Sequence, residues 1–215
     1  MRFDSELQQS IRGRLAAFSH QRADGATTRS ENAGGKALKH AAVCLAVIDD
    51  GHGDAALVLT RRTSHLSAHK GQFALPGGRI DAGETEVQAA LREAHEEVGL
   101  RMDESAVLGR LDDFQTRSGY VMTPIVVWVE DSSTLAANPR EVAEIHRIQL
   151  GDLSHNNQPE FISIPESDRP VIRYPLVGTL IHAPTAALIY QFVEVALLGR
   201  NTRVAHLEQP VWAWK

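Results

Sequence analysis

The sequence predicts a mixed α/β domain. Three observations carry that prediction. Short apolar runs read as strands, at Ala41 to Ile48, Ala56 to Thr60 and Tyr120 to Val129. An amphipathic helical pattern stands between them, from about Thr85 to Val98. A second helical stretch follows near the end, from about Thr185 to Leu198. Strands, a central helix, more strands and a final helix make a sheet flanked by helices. The composition is that of a globular protein: 215 residues, 43% hydrophobic and 23% charged.

The elements follow in order. Leu7, Ile11, Leu15 and Phe18 recur at helical spacing, so Ser5 to Phe18 reads as a helix. The Gly-, Ser-, Thr- and Asn-rich stretch from Ala23 to Lys36 reads as a surface loop. This gives an N-terminal helix and loop over 1–36 and a main domain over 37–215. The turn Asp49-Asp50-Gly51-His52-Gly53 joins the first two strands into a hairpin. Gly99 stops the central helix. Val107 to Leu111 and Glu144 to Leu150 read as further strands, and Pro124 marks its own strand as an edge or bulged one. Trp128, Trp212 and Trp214 read as core or interface anchors, with the aromatic tail docked.

Charge and cysteine usage exclude several function classes. A net charge of −5 argues against a duplex-DNA binder, which needs a basic surplus. One cysteine, Cys44, forms no internal disulfide and reads as a buried thiol in a strand. The polar N-terminus lacks a signal-peptide apolar stretch, and the greasy run from Ala183 to Leu198 is interrupted by Gln191 and Glu194. A cytoplasmic protein without nucleic-acid or membrane partners is expected.

The central helix carries the chemistry. At 100° per residue, Val87, Ala90, Leu91, Ala94 and Val98 share an apolar arc. Glu86, Glu93, Glu96 and Glu97 fall in a separate arc with Arg92 as the one basic neighbour. A solvated face would interleave such carboxylates with lysine. Oxygen ligands without Cys or His favour Mg²⁺ or Mn²⁺ over zinc. A plain acidic surface is the alternative, and the loop in front of the helix decides between them.

Loop and helix together run from Gly78 through Glu84 and Arg92-Glu93-Ala94-His95-Glu96-Glu97-Val98-Gly99 to Leu100. This resembles the Nudix box, G-x5-E-x7-R-E-U-x-E-E-x-G-U, with U apolar. Every fixed position matches; Ala94 is small for its place. The resemblance implies an α/β/α sandwich around a mixed sheet, with the box as loop-helix-loop. It implies a Mg²⁺-dependent hydrolase of nucleoside diphosphates linked to another moiety. Glu93, Glu96, Glu97 and the carbonyl of Gly77 would hold the metal. Arg92 would orient the glutamates, and Gly78, Glu84 and Gly99 would support the box. A further glutamate outside it would act as base, and Glu144 is preferred here over Glu141.

Upstream, Val58 to Gly78 is similar to the extra motif of the coenzyme A pyrophosphatase branch, L-L-T-x-R-S-x3-R-x3-G-x3-F-P-G-G. Thr60, Arg62, Gly71, Pro76, Gly77 and Gly78 match, while Val58, Thr63, Ser67 and Leu75 depart. Ser67 removes a cation that could meet phosphate. Segments from Leu111 to Thr123-Pro124 and from Asn138-Pro139 to Glu144 are also similar to that branch. From Thr60 to Ile80 there is no Asp or Glu, but there are Arg61, Arg62, Lys70, Arg79, His65 and His69. A basic stretch beside an acidic helix suits a substrate with a pyrophosphate and a further phosphate. Arg62, His69, Lys70, Gly71 and Gln72 are the expected substrate-binding residues. The expected reaction splits coenzyme A or its thioesters into 4′-phosphopantetheine species and 3′,5′-ADP. ADP-ribose, NADH or a dinucleoside polyphosphate is the alternative substrate, and a non-catalytic nucleotide sensor the remoter one. The expected partner is a small-molecule nucleotide, and a homodimer is allowed. From Asp81 to Glu97 there are six acidic residues and one basic, so one segment equals the charge of the whole chain.

Overall fold

A computed structural model of the chain describes residues 1–23, 38–63 and 71–214. The loop reading of the segment after Ala23 lies outside them.

The spine of the sheet is β1 (Lys39–Asp49). Side chains alternate along a strand, so β1 feeds two cores. Val43, Leu45 and Val47 enter the larger; Ala42, Cys44, Ala46 and Ile48 enter the smaller. Against the smaller packs α2 (Glu86–Val98), through Ala89, Ala90, Leu91, Ala94 and Val98. Methyl groups on both surfaces let the helix lie close to the sheet. Cys44 is fully buried, as expected, and burial pushes its thiol up to about 12.

On the opposite face lie α1 (Ser5–Ala17), α3 (Leu150–His155) and α4 (Thr185–Phe192). Ile11, Leu15, Leu153, Leu188 and Phe192 fill the larger core with Leu45, Leu57 and Trp128. The N-terminal helix therefore shares the main core. The last helix was expected as one α-helix to Leu198; from Val193 to Leu197 it continues as a π-helix. Helices on both faces of a mixed sheet give the sandwich the sequence predicts.

Pairing positions the site. β1 meets β2 (Ala55–Arg62) antiparallel only from Val47↔Leu57 to Asp49↔Ala55. Beyond that the strands diverge, and β3 (Phe73–Ala74) and β4 (Gly77–Arg79) fill the fork. β3 pairs with β2, β4 pairs with β1, and Cys44 N–H donates to the Pro76 carbonyl at 2.8 Å between them. The other side of β2 pairs with β8 (Val142–Gln149), which carries a bulge: Glu144 faces Arg61, but Val142 faces Arg62.

Two expectations need correction. β7 (Tyr120–Trp128) is interior to the sheet, parallel to β1 on one side and antiparallel to β5 (Val107–Arg110) and β6 (Phe114–Gln115) on the other. Pro124 is tolerated there because its missing N–H falls in the gap between β5 and β6, where only its carbonyl is used, by Leu111 N–H at 3.1 Å. Of the tryptophans, Trp128 is buried and stacks on Phe3 at 4.0 Å, but Trp212 is 56% exposed and anchors no core. The tail is docked through Trp214, whose ring lies under the Arg117 guanidinium at 4.7 Å. A three-stranded antiparallel sheet, β9 (Glu160–Ile164), β10 (Ser167–Leu176) and β11 (Thr179–His182), was not anticipated. Among the described residues no helix is long and apolar enough to cross a membrane.

Candidate active site

Both ends of α2 are fixed. Thr85 accepts from Gln88 N–H at 3.2 Å and Gln88 accepts from Thr85 N–H at 3.0 Å, a reciprocal cap. Gly99 closes the helix at φ 73°. Asn138 then secures its last turn, donating through its backbone N–H to the Glu97 carbonyl at 2.9 Å and through Nδ2 to that of Glu96 at 3.1 Å. The acidic turns therefore have a set direction.

Glu97 points inward. It is 2% exposed, accepts from Gly77 N–H at 3.2 Å and lies 3.4 Å from Arg62 Nη1. Burial pushes its carboxyl up to about 7, against the pull of Arg62 and the Gly77 amide; Glu93 and Glu141 push the same way as burial. Glu93 is also raised, by burial first and by Glu96 and Glu141, with Arg92 opposing. Arg62 and Glu97 face each other because Arg62 points to the α2 side of β2.

Two glycines make room. A side chain on Gly77 would put Cβ 2.5 Å from the Ala42 carbonyl, and one on Gly78 would put it 2.5 Å from Glu93 Cδ. β4 can thus lie against β1 and the Glu93 carboxylate together.

Arg92 ties loop to helix. Its Nε and Nη2 donate to the two carboxylate oxygens of Glu84 at 2.8 and 3.0 Å. Its Nη1 meets Glu93 at 2.9 Å and Glu96 at 3.2 Å, and Nη2 also reaches the Arg79 carbonyl at 3.0 Å. The Arg92 hydrogen bonds hold the Glu84 carboxyl below its ordinary value. Glu86, in contrast, pairs with Arg22 and Arg110 and stands apart.

The structure therefore brings together Glu93, Glu96, Glu97, Arg92, Glu84, Gly77, Gly78 and Arg62. Gln72 adjoins them, its carbonyl accepting from Arg62 N–H at 2.9 Å, with Gly71 in the turn before it. His65, Ser67, His69 and Lys70 lie outside the described residues. Glu144 is not brought into the cluster. It pairs with Arg61 at 3.0 Å, and cross-strand partners share a sheet face. Since Arg61 and Arg62 point to opposite faces, Glu144 is on the side away from α2. The bulge in β8 makes this so, and Glu141 is the carboxylate that acts on Glu93 and Glu97.

The comparisons with known proteins agree with this arrangement. A model of the NUDIX domain matches residues 38–169. The chain belongs to the Nudix family. A relative from Photorhabdus laumondii, named Uncharacterized Nudix hydrolase NudL, is 35% identical over 159 residues, covering 73% of this chain and 84% of that protein. A protein of the same name from Yersinia enterocolitica is 41% identical over 112 residues, covering 52% of this chain and 56% of its own length. Among solved structures, a MutT/nudix family protein from Enterococcus faecalis superposes with a TM-score of 0.51 at 16% identity, over 75% of this chain and 61% of that one. That likeness concerns the fold. The chain is a Nudix hydrolase, a pyrophosphohydrolase acting on a nucleoside diphosphate derivative, and enzymes of this family use divalent metal ions.

The Nudix carboxylates fit a divalent cation by chemistry, since they are oxygen donors whose charges repel one another. Among the described residues, no three His, Cys, Asp or Glu side chains converge tightly enough to enclose an ion as they stand. Arg92 draws Glu93 and Glu96 while Arg62 draws Glu97, so a cation would compete with two guanidinium groups. Sequence reasoning missed Asn138 as a clamp on α2; the Asn138-Pro139 pair was its signal.

Proposed function

We propose that this Nudix hydrolase splits the pyrophosphate of coenzyme A or its thioesters, releasing 4′-phosphopantetheine species and 3′,5′-ADP. The observation that supports it best is the contact of Arg62 with Glu97 at 3.4 Å. It joins the segment similar to the coenzyme A motif to the glutamates of the box in a single site.

Glu93, Glu96, Glu97 and the Gly77 carbonyl would hold Mg²⁺ or Mn²⁺. When bound, the ion supplies neutralisation of phosphate charge and acidifies water. The remaining work belongs to the chain. Arg62 presents a cation to the phosphates on the α2 side of the sheet. Arg92 and Glu84 orient Glu93 and Glu96. Glu141, rather than Glu144, is the base that takes a proton from the attacking water, because its charge acts on the Glu93 and Glu97 carboxylates while Glu144 lies on the other face of the sheet. Gly71 and Gln72 carry the substrate-side turn.

The test is incubation with coenzyme A and Mg²⁺. Release of 3′,5′-ADP is expected, and its absence overturns the substrate. A second reading, hydrolysis of ADP-ribose, NADH or a dinucleoside polyphosphate, is favoured by Ser67 and Leu75, where the motif departs, and by Arg61, which is neutralised by Glu144. Coenzyme A against its 3′-dephospho form separates the two, since recognition of the extra phosphate predicts faster turnover of the former.

A further inference from the structure

A cavity of about 290 Å³ opens on the face of the sheet away from α2. Its floor is β3 with the preceding turn, and its wall is β11 with the residues entering α4. Thr185 Oγ1 donates to the Phe73 carbonyl at 3.3 Å and joins wall to floor. Phe73, Leu180, Ile181 and Trp212 give it apolar surface, and Gln72 and Gln209 give it amide groups. No Asp, Glu, Lys or Arg is among the described residues lining it. His182, beside Trp212, is held below the ordinary imidazole value by burial and then by Arg173, so the described lining residues are uncharged at neutral pH.

The mouth is unusual for a surface. Leu180 is 39% exposed and Trp212 56%, two large apolar side chains in water at the entrance. The cavity and the glutamate cluster lie on opposite faces of the sheet but share one stretch of chain. Gln72 lines it, and the Gln72 carbonyl holds the N–H of Arg62, the residue that meets Glu97 on the other face. One connection, from β2 to β3, therefore borders both a charged site and a neutral one.

We propose that this cavity receives the neutral, amide-bearing pantetheine arm of the substrate, an inference that rests on the coenzyme A reading above. The two ends of coenzyme A differ in charge. Its phosphates suit Arg62 and a divalent cation. Its pantetheine arm carries amides, methyl groups and a thiol but no charge. A phosphate in the cavity would lose water and meet no cation among the described lining residues. A neutral chain instead finds Phe73, Leu180 and Trp212 as apolar cover in a lining whose described polar groups carry no charge.

The test is calorimetric titration of the full chain with 4′-phosphopantetheine and, separately, with 3′,5′-ADP. Parent, Trp212→Ala and Leu180→Glu are compared; both positions are exposed, so the fold tolerates the changes. Each variant is expected to weaken 4′-phosphopantetheine about tenfold and 3′,5′-ADP by less than about twofold. Unchanged 4′-phosphopantetheine binding, or its absence in the parent, overturns the proposal. So does weakening of 3′,5′-ADP to the same degree or more, which would give the cavity to the nucleotide. Turnover of coenzyme A by the parent with unchanged variant binding overturns the cavity and keeps the reaction. Variant-sensitive binding without turnover overturns the reaction and keeps the cavity.

Discussion

The Arg62 guanidinium stands 3.4 Å from the buried Glu97 carboxylate, across 35 positions of sequence. A strand that ends in a cation and a helix that ends in acid meet where β1 and β2 diverge. Glu97→Gln preserves the size of the side chain but not its charge. Turnover should fall on the order of 10³-fold, with an unchanged circular dichroism spectrum. Retained activity would remove Glu97 from the machinery.

Stability should depend on pH through the same residue. In the folded chain Glu97 titrates near 7 against an ordinary 4.5. Between those values the folded state keeps a proton that the unfolded chain has released, so stability falls as pH rises through the window and levels above it. The contribution is on the order of 3 kcal/mol. Urea denaturation in chelator at pH 5 and pH 8 should show the lower midpoint at pH 8. Glu97→Gln should flatten that difference, and Mg²⁺ should raise the midpoint more at pH 8. A pH dependence identical in parent and variant would refute the assignment.

Glu141 and Glu144 should behave differently. Glu141→Gln is expected to lower kcat by about 10²-fold, as loss of a general base does. Glu144→Gln removes an exposed partner of Arg61 and His146 on the face away from α2 and should leave kcat within about twofold. The reverse result would mean that the strand parity of β8 has been misassigned.

Gly77→Ala and Gly78→Ala should separate stability from metal affinity. The first drives Cβ into the backbone of β1, which cannot move aside, and should lower Tm by several degrees, about 2 kcal/mol. The second meets the end of the Glu93 side chain, which can rotate away. It should keep most of Tm but weaken Mg²⁺ activation about tenfold, as loss of one ligand does. Thermal melts and metal titrations of the two variants check this.

Arg92 and Glu84 should be energetically coupled. Their two-point contact is charge-assisted and partly buried, so a double-mutant cycle on Arg92→Ala and Glu84→Ala should return about 1–2 kcal/mol. A coupling near zero would make Glu84 a loop residue independent of the helix.

The box helix was legible because its signals are local: Thr85 before it, Gly99 after it and an apolar arc between. The core strands were legible from their apolar runs. The C-terminal sheet was not, because Pro170 and Pro175 sit inside β10 and speak against a strand. One signal was present: Val177 and Gly178, at φ 47° and 72°, form the two-residue turn between β10 and β11. The choice between Glu141 and Glu144 was illegible for another reason. A bulge changes which face a residue takes, and the chain carries no local mark of it at Ala143. The pairing of Arg62 with Glu97 joins distant segments and follows only from how the sheet divides.

The position of β4 against β1 sets how the site can move. β1 is bonded to β7 along one flank and to β2 and β4 in succession along the other. Its paired amides should exchange their hydrogens only when the whole domain opens, whereas the Gly77 N–H, held by the Glu97 side chain, should exchange when that side chain turns away. No hinge is then free to reshape the backbone beneath the glutamates. Along β1 and β4, accommodation of ion, substrate and product falls to side-chain rotations, which are complete in nanoseconds where domain closures take microseconds or longer.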